Sequence, residues 1–292
     1  MLNNFLYMLN CIKQIYVINT SKIVLITDNN YVISNFKREG IKVIQIWHAT
    51  GAIKKFGNAI KREYPIKNYD YVIANSDYWK IPYQEAFNVL RDNVIVTGMP
   101  RVDHLVNDHY LQSTRVKLLQ KYPILKNKKI VLYAPTFRGN IYQGFKSVSF
   151  NGKKLLDQLD DEYVLIYKFH PLLLNTEIPS DDRIINLSNE DTHDLFTVSD
   201  MLVSDFSSII FDYAFLNKPM YFFVPDLDEY LNTLGCFVDY DKTMPGPICF
   251  DEEQLALAIL KAKKYNLKYF LQTFFKYQDG NNTKRVVEFI KK

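Results

Sequence analysis

Short apolar runs, each closed at once by a small polar cluster, recur along this chain and constrain its fold more than any other feature. Residues 43–46 run into Trp47-His48-Ala49-Thr50-Gly51, 71–74 into Asn75-Ser76-Asp77, and 94–96 into Thr97-Gly98-Met99-Pro100. Residues 130–134 run into Pro135-Thr136-Phe137-Arg138-Gly139, 163–167 into Lys168-Phe169-His170-Pro171, and 201–203 into Ser204-Asp205-Phe206-Ser207-Ser208. Runs that are apolar throughout suit strands buried on both faces, and strands alternating with helices build a parallel sheet. The chain is therefore expected to be α/β, with its sites at the carboxyl ends of strands.

Further strands are expected at 15–18, 23–26, 183–186 and 220–224. Helices are expected at 1–13, from Asp28-Asn29-Asn30 to about Arg38, and at 78–89, 101–127, 153–159 and 191–198. Three more should fill 251–264, 266–277 and 280–291. The strand–helix alternation restarts after a polar stretch at 110–128. This predicts two Rossmann-like domains, 1–115 and 116–292, with a cleft between them.

At 48% hydrophobic and 15% aromatic, 292 residues bury a substantial core. The net charge of +4 does not point to nucleic acid. Charge is uneven, however: residues 37–68 hold eight basic residues against Glu39 and Glu63, a net of +6. Such a patch suits an anionic surface or ligand, and equally a solvated face. Cys11, Cys236 and Cys249 are too far apart for a metal motif or a disulfide framework, which fits a reducing cytosol. No apolar run reaches ~18 residues, and no signal peptide is visible.

Four of the polar clusters carry groups for an anionic ligand. His48 follows a strand among small residues, where backbone approaches a ligand closely, and imidazole suits general-base work. Arg138 suits bidentate phosphate binding, and His170 suits donation to a phosphate or a leaving group. Ser207 or Ser208 caps a helix through Ile209, Phe211 and Phe215, an arrangement that accepts phosphate. Taken singly, each has a commoner explanation: a backbone-bonded His, a surface Arg, an ordinary capped helix. Asp205 and Asp212 are expected to hold the turn. His104, His109 and His193 receive no chemistry. The chain has no G-x-S-x-G, P-loop or G-x-G-x-x-G, which argues against hydrolase, kinase and dehydrogenase readings.

Together these clusters resemble the CDP-glycerol glycerophosphotransferase family of bacterial teichoic acid biosynthesis. The resemblance is carried by residues 45–57 (Gln45 to Gly57), 132–138, 168–171, 203–219, Asp226-Leu227-Asp228-Glu229-Tyr230 and Pro245-Gly246-Pro247, in order across about 12–290. It implies a GT-B-like fold with an N-terminal, membrane-facing acceptor domain and a C-terminal CDP-glycerol domain. It also implies transfer of glycerol phosphate from CDP-glycerol to a hydroxyl of an undecaprenyl-diphosphate-linked disaccharide, with CMP leaving. The work would be done peripherally on the cytoplasmic face of the membrane.

By position, the resemblance makes His48 the base and His170 the second histidine, at the diphosphate or the departing CMP. It makes Thr136, Arg138, Ser207 and Ser208 diphosphate contacts, with Lys168, Asp205 and Asp212 in support. No metal or cofactor is implied, and a homo-oligomer is compatible. The stretch His48-Ala49-Thr50-Gly51-Ala52 looks more like members that add the first glycerol phosphate than like polymerising ones. CDP-ribitol or repeated addition are alternatives within the family. A non-catalytic nucleotide-binding homologue is an alternative outside it, disfavoured because both His48 and His170 are present. Membrane contact would use the +6 segment and the apolar face of residues 1–13.

Overall fold

The computed structural model describes residues 2–140, 144–173, 176–261 and 266–292. In chain order the first elements are α1 (Leu2–Thr20), β1 (Ile23–Ile26), α2 (Tyr31–Phe36), β2 (Lys42–Gln45), β3 (Tyr71–Ala74), α3 (Lys80–Phe87) and β4 (Val94–Val96). They are followed by α4 (Asp108–Lys121), β5 (Lys129–Tyr133), β6 (Arg138–Asn140), β7 (Gly144–Lys146), α5 (Gly152–Leu156), β8 (Tyr163–Tyr167) and β9 (Ile184–Asn186). Then come α6 (Thr192–Val198), β10 (Met201–Ser204), α7 (Ile209–Tyr213), β11 (Met220–Phe223), α8 (Leu227–Leu234), α9 (Tyr240–Thr243) and β12 (Ile248–Cys249). The chain closes with α10 (Glu252–Leu260), α11 (Lys268–Phe274) and α12 (Asn282–Ile290).

Two compact units result. The first is residues 1–51, 55–103 and 273–292; the second is 52–54 and 104–272. This differs from a single cut at 115/116, for two physical reasons. Asp103 accepts hydrogen bonds from the backbone N–H of Asn282 (3.0 Å) and Thr283 (2.8 Å) and from the Thr283 hydroxyl (2.6 Å). That non-local cap holds the start of α12 to the first unit. Residues 52–54 join the second unit because Lys54 bridges Cys236 and the Phe237 N–H donates to the Ile53 carbonyl at 2.8 Å.

The first unit has a parallel sheet in the order β1-β2-β3-β4. Its inner strands are apolar and sealed, with Val43, Ile44, Val72, Ile73 and Ala74 fully buried. The second unit has a six-stranded parallel sheet in the order β12-β11-β10-β5-β8-β9. The chain winds outward from β5 through β8 to β9, then restarts at β10 and winds the other way. The point of reversal is the β5–β10 pair, and ligands in open α/β sheets bind beyond the carboxyl ends of such a pair.

The main departures from expectation have local causes. The run 15–18 is not a strand; it continues α1 to Thr20. An apolar run of four residues fits either state. Here Ser21 Oγ and Thr20 Oγ1 return hydrogen bonds to the carbonyls of Val17 (2.7 Å) and Tyr16 (2.9 Å), closing a helix end. The stretch 101–127 breaks at Asn107, whose side chain caps α4 by accepting from the Tyr110 N–H, and ends before Pro123. Within 251–264 only α10 is helical among the described residues, and 262–265 lie outside them. The antiparallel β6–β7 hairpin, α8, α9 and β12 were not anticipated.

Pro245-Gly246-Pro247 has a clear steric role. A Cβ on Gly246 would stand 1.9 Å from the Met220 carbonyl oxygen, so the chain passes flush against β11. Gly246→Ala is expected to destabilise by about 1–3 kcal/mol, as overpacking does. A thermal melt followed by circular dichroism checks this; an unchanged midpoint would contradict it.

Candidate active site

In the second unit the segments leaving β5 and β10 are knitted together by Asp205, which is 1% exposed. One carboxylate oxygen accepts from the Thr136 N–H (2.8 Å) and the other from Arg138 Nη1 (2.8 Å). Arg138 also donates to the Thr136 carbonyl at 2.9 Å and grips Asp226 with two bonds, Nε at 2.7 Å and Nη2 at 3.1 Å. Four of the five guanidinium N–H groups are thus engaged within the protein. The guanidinium lies 4.7 Å from the Tyr230 ring and 5.2 Å from Phe206, and those rings stack at 3.7 Å. Burial works against its charge, but the hydrogen bonds it donates to Asp226 and Asp205, with the charges of those carboxylates, outweigh it and hold the group more firmly protonated than usual.

Two polar atoms in this neighbourhood are buried without a partner: Thr136 Oγ1 and the Tyr230 hydroxyl. Ser207 and Ser208 follow directly on β10. Ser208 takes the cap position of α7 but makes no side-chain cap bond, and Ser207 Oγ accepts from the Ile209 N–H at 3.4 Å. The helix expected through Phe215 is a five-residue α7 followed by a tighter turn. Its dipole is correspondingly weak, so the hydroxyls and backbone N–H groups matter more than the helix itself.

His170 stands beyond β8, with its ring 5.0 Å from Phe137. Its Nδ1 accepts from the Leu172 N–H at 3.2 Å. A neutral His170 making that bond carries its proton on Nε2 and is a donor there. On the same Phe137 ring, 5.0 Å from its centre, lies the ammonium of Lys54. Burial lowers the Lys54 pKa, with Asp205 opposing and Arg138 reinforcing the shift. Sequence reasoning missed this lysine. It lies in the Gln45–Gly57 stretch, and only the long-range bridge to Cys236 shows that it belongs to the second unit.

In the first unit His48 follows β2. The preceding Trp47 sits at φ +65°, a strained conformation for so bulky a residue. It is held there by Gln45, whose amide oxygen accepts from the Trp47 N–H at 2.8 Å, and by stacking on Phe56 at 4.8 Å. His48 Nδ1 lies 3.0 Å from the Thr27 carbonyl and 4.0 Å from Asp28 Oδ1. A carbonyl only accepts, so Nδ1 carries the proton and Nε2 keeps a lone pair. The side chain is half-exposed, open to a reactant. In their neutral forms the two histidines therefore take opposite tautomers, His48 presenting an acceptor at Nε2 and His170 a donor at Nε2.

Two predicted residues do other work. Lys168 donates to the Ser188 carbonyl at 2.7 Å, and burial lowers its pKa; it holds the turn after β9. Asp212 is turned towards α6, where it pairs with His193 Nε2 at 2.9 Å; His193 Nδ1 meets His104 Nε2 at 2.9 Å. The +6 segment is not one cationic face either, since Lys37 pairs with Asp70 at 2.5 Å and Lys54 enters the second unit.

Comparison with known proteins adds what geometry alone does not. A family profile described as CDP-glycerol:poly(glycerophosphate) glycerophosphotransferase matches residues 3–292. A teichoic acid poly(ribitol-phosphate) polymerase of Bacillus spizizenii is 37% identical over 293 residues, which is 94% of this chain and 47% of the relative. A teichoic acid glycerol-phosphate primase of Bacillus subtilis is 34% identical over 299 residues, 97% of this chain and 76% of the relative. The chain thus spans about half the length of the first and three-quarters of the second. A structure of the wall teichoic acid polymerase TagF soaked with CDPG matches with a TM-score of 0.76 at 26% identity, covering 92% of this chain and 72% of that one.

Proposed function

Because this chain belongs to the CDP-glycerol:poly(glycerophosphate) glycerophosphotransferase family, we propose that it transfers glycerol phosphate from CDP-glycerol to a hydroxyl of a lipid-linked disaccharide in teichoic acid synthesis. The observation that carries this reading is the placing of the two imidazoles, His48 with Nδ1 on the Thr27 carbonyl and His170 with Nδ1 on the Leu172 N–H, which leaves Nε2 of a neutral His48 an acceptor and Nε2 of a neutral His170 a donor. The acceptor oxygen attacks the phosphorus that bears glycerol, and its proton passes to His48 Nε2. The bond from that phosphorus to the oxygen of CMP breaks, and CMP leaves with His170 Nε2–H bonded to its phosphate. Such transfers are catalysed mainly by positioning and charge stabilisation. Ser207, Ser208, Thr136 Oγ1 and Lys54 supply the donors for the diphosphate, and Arg138 and Asp205 fix the frame that carries them.

The test is direct. The protein is given CDP-glycerol or CDP-ribitol with a disaccharide-lipid analogue, bare or already carrying one glycerol phosphate, and the products are weighed. One addition to the bare acceptor supports the reading; no CMP release with any acceptor defeats it. CDP-ribitol is the second reading, favoured by the similarity to a ribitol-phosphate polymerase.

Lys54 gives a sharper expectation. Lys54→Met should weaken CDP-glycerol binding about tenfold or more, the loss of a charge-assisted hydrogen bond. It should also raise the stability of the unliganded protein. Burial lowers the lysine's folded pKa, so the unfolded chain binds more protons between the folded and unfolded values. The wild type therefore gains stability as pH rises through that window, and the variant loses this slope. Calorimetric titration and melts across the alkaline range read both effects. Unaltered affinity would remove Lys54 from the site.

Membrane association belongs to the same proposal. No described helix is long and apolar enough to cross a bilayer. The surface candidate is α1, where Phe5, Leu6, Leu9, Ile12 and Tyr16 are exposed. Vesicle co-sedimentation should rise with anionic lipid, fall with salt, and fall again in a Leu6→Asp, Ile12→Asp double variant. Binding indifferent to all three would end this part of the proposal.

A further inference from the structure

Asn75 follows β3, the strand between β2 and β4 in the first unit. It is buried, and its side chain joins the segments that leave the two neighbouring strands. Nδ2 donates to the Thr50 carbonyl, beyond β2, and Oδ1 accepts from the Met99 N–H at 2.8 Å, beyond β4. A carbonyl only accepts and an N–H only donates, so these partners decide which way the amide faces. A carboxylate, which only accepts, could not make both bonds. The Asn75 backbone is pinned as well, its carbonyl accepting from the Lys276 N–H at 2.9 Å.

Thr50 lies two residues beyond His48. A second tie reaches His48 itself: Arg101 Nη1 donates to the His48 carbonyl. On the other side of His48 stands Trp47, at φ +65° and held by the Gln45 side chain. A backbone strained in this way persists only where its surroundings over-determine it. Gln45 holds the strand side of the loop, and Arg101 and Asn75 hold the far side. The imidazole has the Thr27 carbonyl 3.0 Å from Nδ1 and is otherwise half-exposed. Where Nε2 points therefore depends on where the backbone of residues 47–50 is held.

We infer that Asn75 and Arg101 are positioning residues for His48. The inference rests on the proposed glycerophosphate transfer, in which His48 Nε2 takes the acceptor's proton. Both residues act through the backbone from His48 to Thr50 rather than on a reactant. A base works only within hydrogen-bond reach of the proton it takes, and a misplacement of about 1 Å costs about a hundredfold in rate. Asn75 also makes the loop after β2 answer to the loop after β4, so the base is set by three adjacent strand ends and not by its own segment alone.

The experiment uses the whole protein with nitrogen-labelled histidine. Asn75→Asp keeps the acceptor for Met99 but sets an oxygen against the Thr50 carbonyl, and Arg101→Met removes the tie to His48. In both, kcat for CMP release should fall about ten- to a hundredfold. CDP-glycerol affinity, titrated in parallel, should be unchanged, which shows that the variants are folded. Arg101→Lys keeps a cationic donor and should lose less than Arg101→Met. Because both ties hold one loop, the double variant should lose less than the product of the single losses. Ring-nitrogen NMR of His48, assigned with His48→Ala, reads the positioning without turnover. In the neutral wild type Nδ1 should read as protonated and Nε2 as bare, and in both variants the two signals should move towards each other as the Thr27 bond loosens. A merely structural role would lower the melting midpoint and leave those signals in place. Unchanged kcat in both variants, unchanged ring signals, or donor affinity falling in step with kcat would each overturn the assignment. Should Asn75→Asp not fold, Asn75→Ala, which adds no charge, replaces it. Failure of the transferase reading looks different: the wild type releases no CMP from CDP-glycerol, whatever the ring signals show.

Discussion

His48→Ala is expected to lower turnover by about 10²–10⁴-fold, the usual contribution of a positioned general base. The affinity for CDP-glycerol should stay essentially as in the wild type. The reason is structural. His48 is held by the Thr27 carbonyl on one nitrogen and is otherwise half-exposed, so its removal unpairs no buried charge and leaves the core intact. The strained Trp47 backbone should persist as well, because Gln45, Phe56 and Phe87 hold it rather than the imidazole. The loss should therefore fall on kcat, as it does when a group acts in the transition state rather than in ground-state binding. Steady-state kinetics of CMP release, with calorimetric titration of the donor, separate the two quantities. A variant that keeps its turnover would remove His48 from the mechanism. One that loses donor affinity in parallel would make His48 a binding residue. His170→Ala should differ in kind: in the proposed reaction its Nε2–H bonds the donor phosphate, so both constants should change.

Much of this site was legible because of how parallel sheets are built. Strands buried on both faces are continuous apolar runs, and the residue after each run stands at a carboxyl end where ligands bind. That rule singled out His48, Arg138, His170, Ser207 and Ser208, and all five lie in segments that follow strands of the two sheets. What escaped it depends on contacts between distant segments. Lys54 looked like one cation among eight, and only its bridge to Cys236 moves it to the Phe137 ring. Asp226 lies 88 residues from the guanidinium it grips. Asp212 read as part of the same polar stretch as Asp205, but α7 directs it to His193. The extent of α1 was hidden for a different reason: four apolar β-branched and aromatic residues do not tell helix from strand, and the polar residues after them decided it.

Arg138 carries the second large expectation, and it concerns the fold as much as the ligand. Sequence reasoning made this residue a diphosphate contact, yet four of its five N–H groups already serve Asp205, Asp226 and the Thr136 carbonyl. Arg138→Met removes the cation between two carboxylates, one of them fully buried. Breaking such a pair costs about 3–5 kcal/mol. For a domain of this size that lowers the melting midpoint by roughly 10 °C. Arg138→Lys should recover little, because a compact ammonium has three donors and no fork to hold Asp226 bidentately. Adding Asp226→Asn to Arg138→Met removes the repulsion and should restore part of the midpoint, but not donor binding, because Thr136 and the turn after β10 lose their register. A midpoint within about 2 °C of the wild type for Arg138→Met, with donor affinity lost, would instead make Arg138 a ligand-binding residue and not the clamp on which the site is built.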